Sequence, residues 1–263
     1  MIKEIPRITD YDKVLPVAEV YTAVQSEGSR AGYPTVIVRT TGCTHRCFFG
    51  EGGWCDSWYT SIHPEKGSFT FNDIIKVYDE NPHITEMMIT GGSPTMHPSL
   101  LQELTDFATE RGIYTTMETE GSVHVKLKNP INLISLSPKF SNSVPKLGVS
   151  TPLGAATTQR MIDQHNKFRN NKATITDIIV YQTVLGQDYH VKPVWDGEDM
   201  EVLKEILETV KNLPEEKVWF MPAGDTREAL FKSYAKLFDW VRDNGYRLTW
   251  RPHIIAFADA RCV

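Results

Sequence analysis

The chain has 263 residues, of which 41% are hydrophobic and 23% are charged, and its formal net charge is −5. These values are typical of one globular domain, or of two small ones. The net negative charge argues against a general nucleic-acid-binding protein, which would need a basic face. The N-terminus lacks the apolar run of a signal peptide, and no stretch approaches the about 20 apolar residues that span a bilayer. We therefore expect a cytoplasmic protein whose cysteines are reduced.

Short β-rich segments alternate with longer amphipathic segments along the chain. Strands are predicted at 35–40, 86–90, 113–118, 131–136 and 218–221. Helices are predicted at 70–78, from Pro98 onward, at 200–212 and at 227–243. The first of these helices begins with a capping-box pattern at Thr70 and Asp73.

Strands that alternate with helices predict right-handed βαβ units and a parallel sheet. The pattern fits an open doubly wound sheet as well as a barrel. About six such units are fewer than the eight of a complete barrel, so we expect an α/β fold of the partial (β/α)6-barrel type. We expect a single domain over residues 1–263, with an insertion around 141–190 where the alternation is interrupted.

Three of the four cysteines, Cys43, Cys47 and Cys55, lie in one glycine-rich loop directly after the first predicted strand. In parallel α/β folds, this end of a strand is where functional sites are built. Three thiolates can bind three irons of a [4Fe–4S] cluster and leave the fourth iron open to a small molecule. The alternatives are a structural zinc site completed by His45 or Cys262, and buried cysteines that bind no metal.

A glycine turn, Gly91-Gly92-Ser93-Pro94, follows the second predicted strand. Paired glycines let the backbone approach a ligand closely, and the proline restricts the exit of the turn. Such a turn is common by itself. It becomes informative because it is expected on the same edge of the sheet as the cysteine loop.

The cysteine triad and the Gly-Gly-x-Pro turn resemble the radical S-adenosylmethionine (SAM) superfamily. More narrowly, the chain resembles the 7-carboxy-7-deazaguanine synthases. The segments that carry this narrower resemblance are 24–28, 32–34, 39–43, 54–57, 90–94, 118–121, 137–139 and 221–222. They occur in order along most of the chain, and residues 141–190 match least.

The resemblance implies a reaction that converts 6-carboxy-5,6,7,8-tetrahydropterin to 7-carboxy-7-deazaguanine with loss of ammonia, as in queuosine-type biosynthesis. It implies a [4Fe–4S] cluster, SAM and Mg²⁺ as cofactors. It also implies a one-electron reductant such as flavodoxin and a homodimer, without direct binding to nucleic acid or membranes.

The resemblance also implies roles for individual residues. The cluster ligands would be Cys43, Cys47 and Cys55, and Ser57 would bind Mg²⁺. The residues expected to bind SAM are Trp54, Asp56, Gly92, Ser93, Glu118, Ser137, Lys139 and Met221. The residues expected to bind the substrate are Val24, Gln25, Ser26, Glu27, Arg39, Thr90 and Val263. The segment from His253 to the C-terminus is expected to close over the substrate.

Three positions depart from the family pattern. The gap between Cys47 and Cys55 has seven residues, where two are common in the superfamily, and we interpret it as an insertion in the loop. Ser57 replaces the usual threonine but keeps a hydroxyl group. Ser93 replaces the usual glutamate, whose carboxylate would accept a hydrogen bond from the methionyl ammonium group of SAM; Glu118 or Glu120 could compensate.

Two other functions remain as hypotheses. A glycyl-radical-enzyme activase shares the cysteine triad and the glycine turn, but it would need a protein-binding face and no pterin contacts. A zinc-stabilised binding module would use the cysteines without any catalysis.

Overall fold

The computed structural model describes residues 4–49, 53–224, 226–258 and 260–262. Its main sheet has six strands in the order β1-β2-β3-β4-β5-β6. These strands are β1 (Val17–Val24), β2 (Pro34–Thr40), β3 (Glu86–Gly91), β4 (Tyr114–Thr119), β5 (Leu133–Leu136) and β6 (Asp188–Val191). β1 pairs antiparallel with β2, and the pairs from β2 through β6 are all parallel.

A smaller parallel sheet continues beyond β6. It consists of β7 (Val194–Trp195), β8 (Trp219–Pro222) and β9 (Arg247–Leu248), in that order. A parallel bridge between Val191 and Val218 joins it to the end of β6. Among the described strands no ladder joins β1 to β9, so the barrel is partial and open, as the sequence predicts.

Helices connect the parallel strands. They are α1 (Trp58–Ser61), α2 (Phe71–Glu80), α3 (Pro98–Arg111), α4 (Gln159–Phe168), α5 (Lys172–Val184), α6 (Met200–Val210), α7 (Arg227–Asp243) and α8 (Pro252–Phe257). α2, α3, α6 and α7 are the four helices predicted from the sequence. Within the described ranges, no helix is both long enough and apolar enough to cross a membrane.

The segment around 141–190 contains more regular structure than the interrupted alternation suggests. α5 and β6 form an ordinary helix–strand unit that extends the sheet beyond β5. Only the residues between β5 and α5, which include α4, are additional to the repeating helix–strand pattern. α5 was missed because its apolar residues surround the helix and do not form a stripe: Ile178 is buried, whereas Val180 and Val184 are exposed.

β1 is another element that the sequence did not predict. It is an edge strand with one neighbour, and a register irregularity occurs between Val17 and Glu19. Buried and partly exposed residues alternate only in its first half. The alternation with a period of two residues therefore covers too few residues here to indicate a strand.

The capping box at the start of α2 is confirmed. The Thr70 hydroxyl accepts a hydrogen bond from Asp73 N at 3.2 Å, and Asp73 Oδ2 accepts one from Thr70 N at 2.7 Å. Two amide groups that the first helical turn leaves without intrahelical acceptors are thereby satisfied. α2 then buries Phe71, Ile74 and Tyr78 in the hydrophobic core.

We expect Thr70→Ala to lower the free energy of unfolding by about 1 kcal/mol, because it removes the acceptor for the Asp73 amide. Thr70→Ser keeps that acceptor and should remain close to wild type. Urea unfolding followed by circular dichroism measures both variants. Equal stability of Thr70→Ala and the wild type would show that the cap contributes nothing.

Candidate active site

A cavity of about 1110 Å³ lies at the carboxyl ends of the parallel strands. Strands in parallel register end at one edge of the sheet, so side chains at or just beyond those ends converge there. The lining residues at the ends of β2 to β6 and β8 include Arg39, Gly91, Gly92, Glu118, Glu120, Ser137, Lys192 and Met221. The topology therefore brings together residues that are far apart in sequence.

The three clustered cysteines line this cavity. Cys55 N donates a hydrogen bond to the carbonyl oxygen of Cys47 at 3.1 Å, and Phe48 and Trp54 form an antiparallel bridge. These two contacts hold Cys55 beside Cys47. The long gap in the sequence therefore does not separate the two cysteines in space.

The surroundings of the cysteines favour neutral thiols when no cation is present. Burial, followed by the charge of Glu120, raises the pKa of Cys43 to about 12. Burial and the neighbouring Asp56 raise the pKa of Cys55 to about 12, and burial also raises the pKa of Cys47. A metal centre bound here would have to displace the thiol protons.

The arrangement does not resemble a site for one metal ion. In the described ranges, no group of three or more His, Cys, Asp or Glu side chains converges closely enough to hold a single ion. A tetrahedral zinc ion requires such convergence, whereas the thiolates of an iron–sulfur cluster bind separate irons. Three thiolates that line one cavity are a donor set suited to such a cluster.

The glycine turn packs directly against the start of the cysteine loop. Gly92 N donates to Thr40 O at 3.1 Å, and Ser93 N donates to Gly42 O at 2.8 Å. Gly91 has φ +130°, and a Cβ at Gly92 would overlap the carbonyl oxygen of Gly42. Both glycines are therefore required by the backbone packing, and both also face the cavity.

Ser93 does not line the cavity. Its side chain is fully buried, and its hydroxyl donates to Glu120 Oε1 at 2.7 Å. Glu120 lines the cavity in its place. Glu118 lies nearby on β4, where its Oε2 accepts a hydrogen bond from the Thr90 hydroxyl at 2.8 Å.

A chain of buried ion pairs crosses one wall of the cavity. Lys192 Nζ lies 2.5 Å from both Glu27 Oε2 and Glu118 Oε1. Arg251 contacts Glu27 Oε1 at 3.0 Å and Asp56 Oδ2 at 2.8 Å. Although burial opposes ionisation, Lys192 and Arg251 hold the pKa of Glu27 well below its usual range. Arg251 likewise outweighs the effect of burial and lowers the pKa of Asp56.

Sequence reasoning singled out the acidic members of this chain but missed Lys192 and Arg251. Lys192 directly follows β6, which was not predicted, and its partner Glu27 is 165 residues away in sequence. No local pattern marks either basic residue. A strand prediction at 188–191 would have placed Lys192 at the functional edge of the sheet.

Arg39 is already paired in the structure. Its Nε lies 2.7 Å from Glu19 Oε2, and its Nη1 donates to the Ser57 hydroxyl at 3.1 Å. Arg261 near the C-terminus contacts the other oxygen of Glu19 at 2.7 Å. The C-terminal segment thus reaches the cavity, which Arg261 and Cys262 both line, while Val263 lies outside the described residues.

The remaining residues predicted for this site fall into two groups. Those that line the cavity are Val24, Ser26, Trp54, Asp56, Ser57, Thr90, Ser137, Lys139 and Met221. Lys139 Nζ donates to the Ser137 hydroxyl at 2.8 Å, so these two residues act as a unit. Gln25 belongs to the second group: it is buried behind the wall, and its Oε1 has no partner within the described part of the chain.

We expect Glu27→Gln to destabilise the protein by about 1.5–3 kcal/mol at pH 7, because Lys192 and Arg251 each lose a charge-assisted contact. Each keeps its second partner, Glu118 for Lys192 and Asp56 for Arg251. A carboxylate whose pKa is lowered by folding stabilises the native state above its unfolded pKa, and this contribution is lost on acidification. The difference in the free energy of unfolding between Glu27→Gln and the wild type should therefore become smaller as the pH falls below about 4.3.

Urea unfolding at several pH values measures this effect. The matched control is Glu80→Gln, because Glu80 forms an exposed pair with Lys76. It should change stability by less than about 1 kcal/mol at any pH. A Glu27→Gln difference that stays constant from neutral to acid pH would contradict the electrostatic explanation.

Comparison with known proteins places these observations in a family. No protein-family model matches the chain. It is 32% identical over 254 residues to a 7-carboxy-7-deazaguanine synthase from Halobacterium salinarum, covering 94% of this chain and 91% of that protein. It is 29% identical over 249 residues to a synthase of the same name from Rhodopirellula baltica, covering 94% and 88%.

Among solved structures, QueE from Escherichia coli shares the fold, with a TM-score of 0.53 and 20% identity over 89% of this chain and 92% of that one. The sequence similarity to the named synthases extends over nearly the whole length of both partners. The chain therefore belongs to the 7-carboxy-7-deazaguanine synthase family.

Proposed function

We propose that this protein is a radical SAM enzyme of 7-deazapurine biosynthesis that converts 6-carboxy-5,6,7,8-tetrahydropterin to 7-carboxy-7-deazaguanine with loss of ammonia. The observation that carries the proposal is the single cavity in which three cysteines, the glycine turn and a chain of buried charged groups meet. Family membership supports the same reaction.

Cys43, Cys47 and Cys55 would hold the [4Fe–4S] cluster, and the loop bridge that brings Cys55 beside Cys47 supports this ligand set. The cluster and SAM, when bound, supply the one-electron chemistry that starts the reaction. Ser137 and Lys139 would bind the ribose and carboxylate of SAM, because their linked polar groups face the same cavity. Gly92, Trp54 and Met221 also line this cavity and would pack against the cofactor.

The substrate offers a carboxylate and a pterin edge of hydrogen-bond donors and acceptors. Arg39 is suited to the carboxylate because a guanidinium can bind both oxygens at once. The charged pair Glu27–Lys192 would face the polar pterin ring, with Thr90 and backbone near Val24 and Ser26 beside it. Because the buried charges hold one another in fixed ionisation states, they can orient the substrate without exchanging protons with it.

A Mg²⁺ ion at Ser57 is part of the proposal. Asp56 Oδ1 accepts a hydrogen bond from the Ser57 hydroxyl at 3.2 Å, so two oxygen ligands suited to Mg²⁺ lie side by side. The Arg39 guanidinium also contacts Ser57. Binding of the cation would require Arg39 to turn from Ser57 toward the substrate carboxylate.

We also propose a one-electron reductant such as flavodoxin, a homodimer and a cytoplasmic location. Support for the reductant and the dimer comes from the family resemblance. Support for the location comes from the three cysteines, which must stay reduced in order to bind iron.

Anaerobic reconstitution tests the function directly. We expect about four irons and four sulfides per chain, as a [4Fe–4S] cluster requires. The reduced enzyme should then convert the carboxytetrahydropterin to the deazaguanine acid and release 5′-deoxyadenosine, measured by liquid chromatography and mass spectrometry. SAM cleavage without this product would reject the substrate assignment. A colourless protein that contains zinc would reject the cluster.

Substitution of Arg39 separates the synthase from a glycyl-radical-enzyme activase. For the synthase, Arg39→Ala should lower kcat/KM for the pterin by about 10- to 100-fold, because a charge-assisted contact is lost. The matched control is Arg30→Ala: Arg30 is also half-buried and paired with a glutamate, Glu86, but it does not line the cavity. An unchanged kcat/KM for the pterin in Arg39→Ala would reject the role of Arg39. SAM cleavage that is unaffected by Arg39→Ala and that yields no deazaguanine acid would favour the activase.

A further inference from the structure

Ser93 and Glu120 follow neighbouring parallel strands, β3 and β4, whose register is continuous. Their side chains meet behind the cavity wall, where the Ser93 hydroxyl donates to Glu120 Oε1 at 2.7 Å. A longer acidic side chain at position 93 would compete with the Glu120 carboxylate for this space. The two positions are therefore alternative sources of one carboxylate.

Only one oxygen of the Glu120 carboxylate is occupied. Oε1 accepts hydrogen bonds from the hydroxyls of Thr44 at 2.9 Å, Ser93 and Ser122. Oε2 is buried and has no partner in the part of the chain that the structure describes. Glu120 is only 6% exposed, yet it lines the cavity together with the cysteines. Oε2 is thus an acceptor that the described residues leave unused at the border of the cavity.

Glu120 also lacks a cationic partner among the described residues. Its only basic neighbour within 4.0 Å is His45, whose Nδ1 lies at that distance from Oε1. The His45 ring is itself buried, and its Nδ1 lies 2.8 Å from the Thr44 hydroxyl. A buried carboxylate without a counter-charge is costly, and a cationic ligand would remove that cost.

The other carboxylates of the cavity that take part in ion pairs already have cationic partners. Glu118 uses Oε1 for Lys192 and Oε2 for the Thr90 hydroxyl. The remaining pairs are Glu19 with Arg39 and Arg261, Glu27 with Lys192 and Arg251, and Asp56 with Arg251. Glu118 and Glu120 are the two glutamates that could replace a carboxylate at position 93. Of the two, only Glu120 has a carboxylate oxygen without a hydrogen-bond partner among the described residues.

We propose that Glu120 Oε2 accepts the hydrogen bond of the methionyl ammonium group of SAM, and that Ser93 is a positioning residue that orients this carboxylate. The inference rests on the proposed function, because it assumes that SAM binds in this cavity. Glu120 and Cys43 line the same cavity, and Thr44, the residue after Cys43, donates its hydroxyl to Glu120 Oε1 at 2.9 Å. SAM is cationic at its sulfonium and at its ammonium group, and of these two only the ammonium can donate a hydrogen bond.

The test is a binding measurement on the anaerobically reconstituted protein by isothermal titration calorimetry. The probes are SAM and an analogue that lacks the α-amino group. Glu120→Gln should weaken SAM binding by about 10- to 100-fold, because a charge-assisted hydrogen bond is lost. It should leave the affinity for the analogue unchanged. Ser93→Ala should change the ratio of the two affinities in the same direction, but less.

The matched control is Glu103→Gln. Glu103 is also buried, on α3, and it is bonded to Arg7 and Tyr11 away from the cavity. This variant should bind both probes as the wild type does. Iron content and thermal unfolding confirm that each variant is folded and loaded. Unchanged SAM affinity in Glu120→Gln, or an equal loss for both probes, would overturn the proposal.

Moving the carboxylate from position 120 to position 93 by substitution gives a second, independent readout. Ser93→Glu alone should weaken SAM binding, because it places two carboxylates together. Ser93→Glu combined with Glu120→Ser should restore affinity to near the wild-type value. Tighter binding by Ser93→Glu alone, or no recovery in the double variant, would contradict the proposed exchange.

The outcome is distinguishable from failure of the proposed function. If the wild type does not bind or cleave SAM, the radical SAM assignment itself is rejected. If the wild type forms product while Glu120→Gln binds SAM normally, only the role of Glu120 is rejected.

Discussion

The backbone contact between the glycine turn and the start of the cysteine loop is the constraint on which the cavity depends. Gly92 and Ser93 donate their amides to Thr40 and Gly42, and there is no room for a side chain at Gly92. This contact joins the end of β3 to the residue before Cys43. The cysteine loop therefore starts at a defined position relative to the edge of the sheet. The strands β4 and β5 end at the same edge.

The same loop is tied to the far end of the chain by charge. Arg251 joins Asp56, which is next to Cys55, to Glu27, and Lys192 extends the connection to Glu118. In other proteins, apolar residues often replace buried ion pairs without loss of stability. We therefore interpret the network as a means of holding a polar cavity wall in one arrangement. Removing one member takes an ionic contact from each of its neighbours, so the members depend on one another.

Glu120 shows how a parallel sheet lets one residue take over from another. Ser93 and Glu120 are far apart in sequence but follow adjacent strands, so their side chains meet at one point. The hydroxyl of Ser93 then serves to orient the carboxylate instead of supplying one. Serine at position 93 is consequently compatible with a complete binding site for a cationic ligand.

Much of the fold could be predicted from the sequence, because apolar spacing and capping residues act locally. β2, β3, β4, β5 and β8 and four of the helices were predicted in this way. Two of the elements that the sequence did not predict show the physical cause. β1 is an edge strand with an interrupted alternation, and α5 has apolar residues on all sides, so neither has a clean period.

The sequence by itself determined the α/β class, the cysteine loop with its glycine turn, and the resemblance to the synthase family, because each of these is written in short, contiguous segments. Only the tertiary structure decided which charges meet. It paired Lys192 with Glu27 across 165 residues, and it turned Ser93 toward Glu120 and left one oxygen of Glu120 free. Such contacts depend on strand order and register, which bring distant residues to one edge of the sheet and which no local pattern encodes.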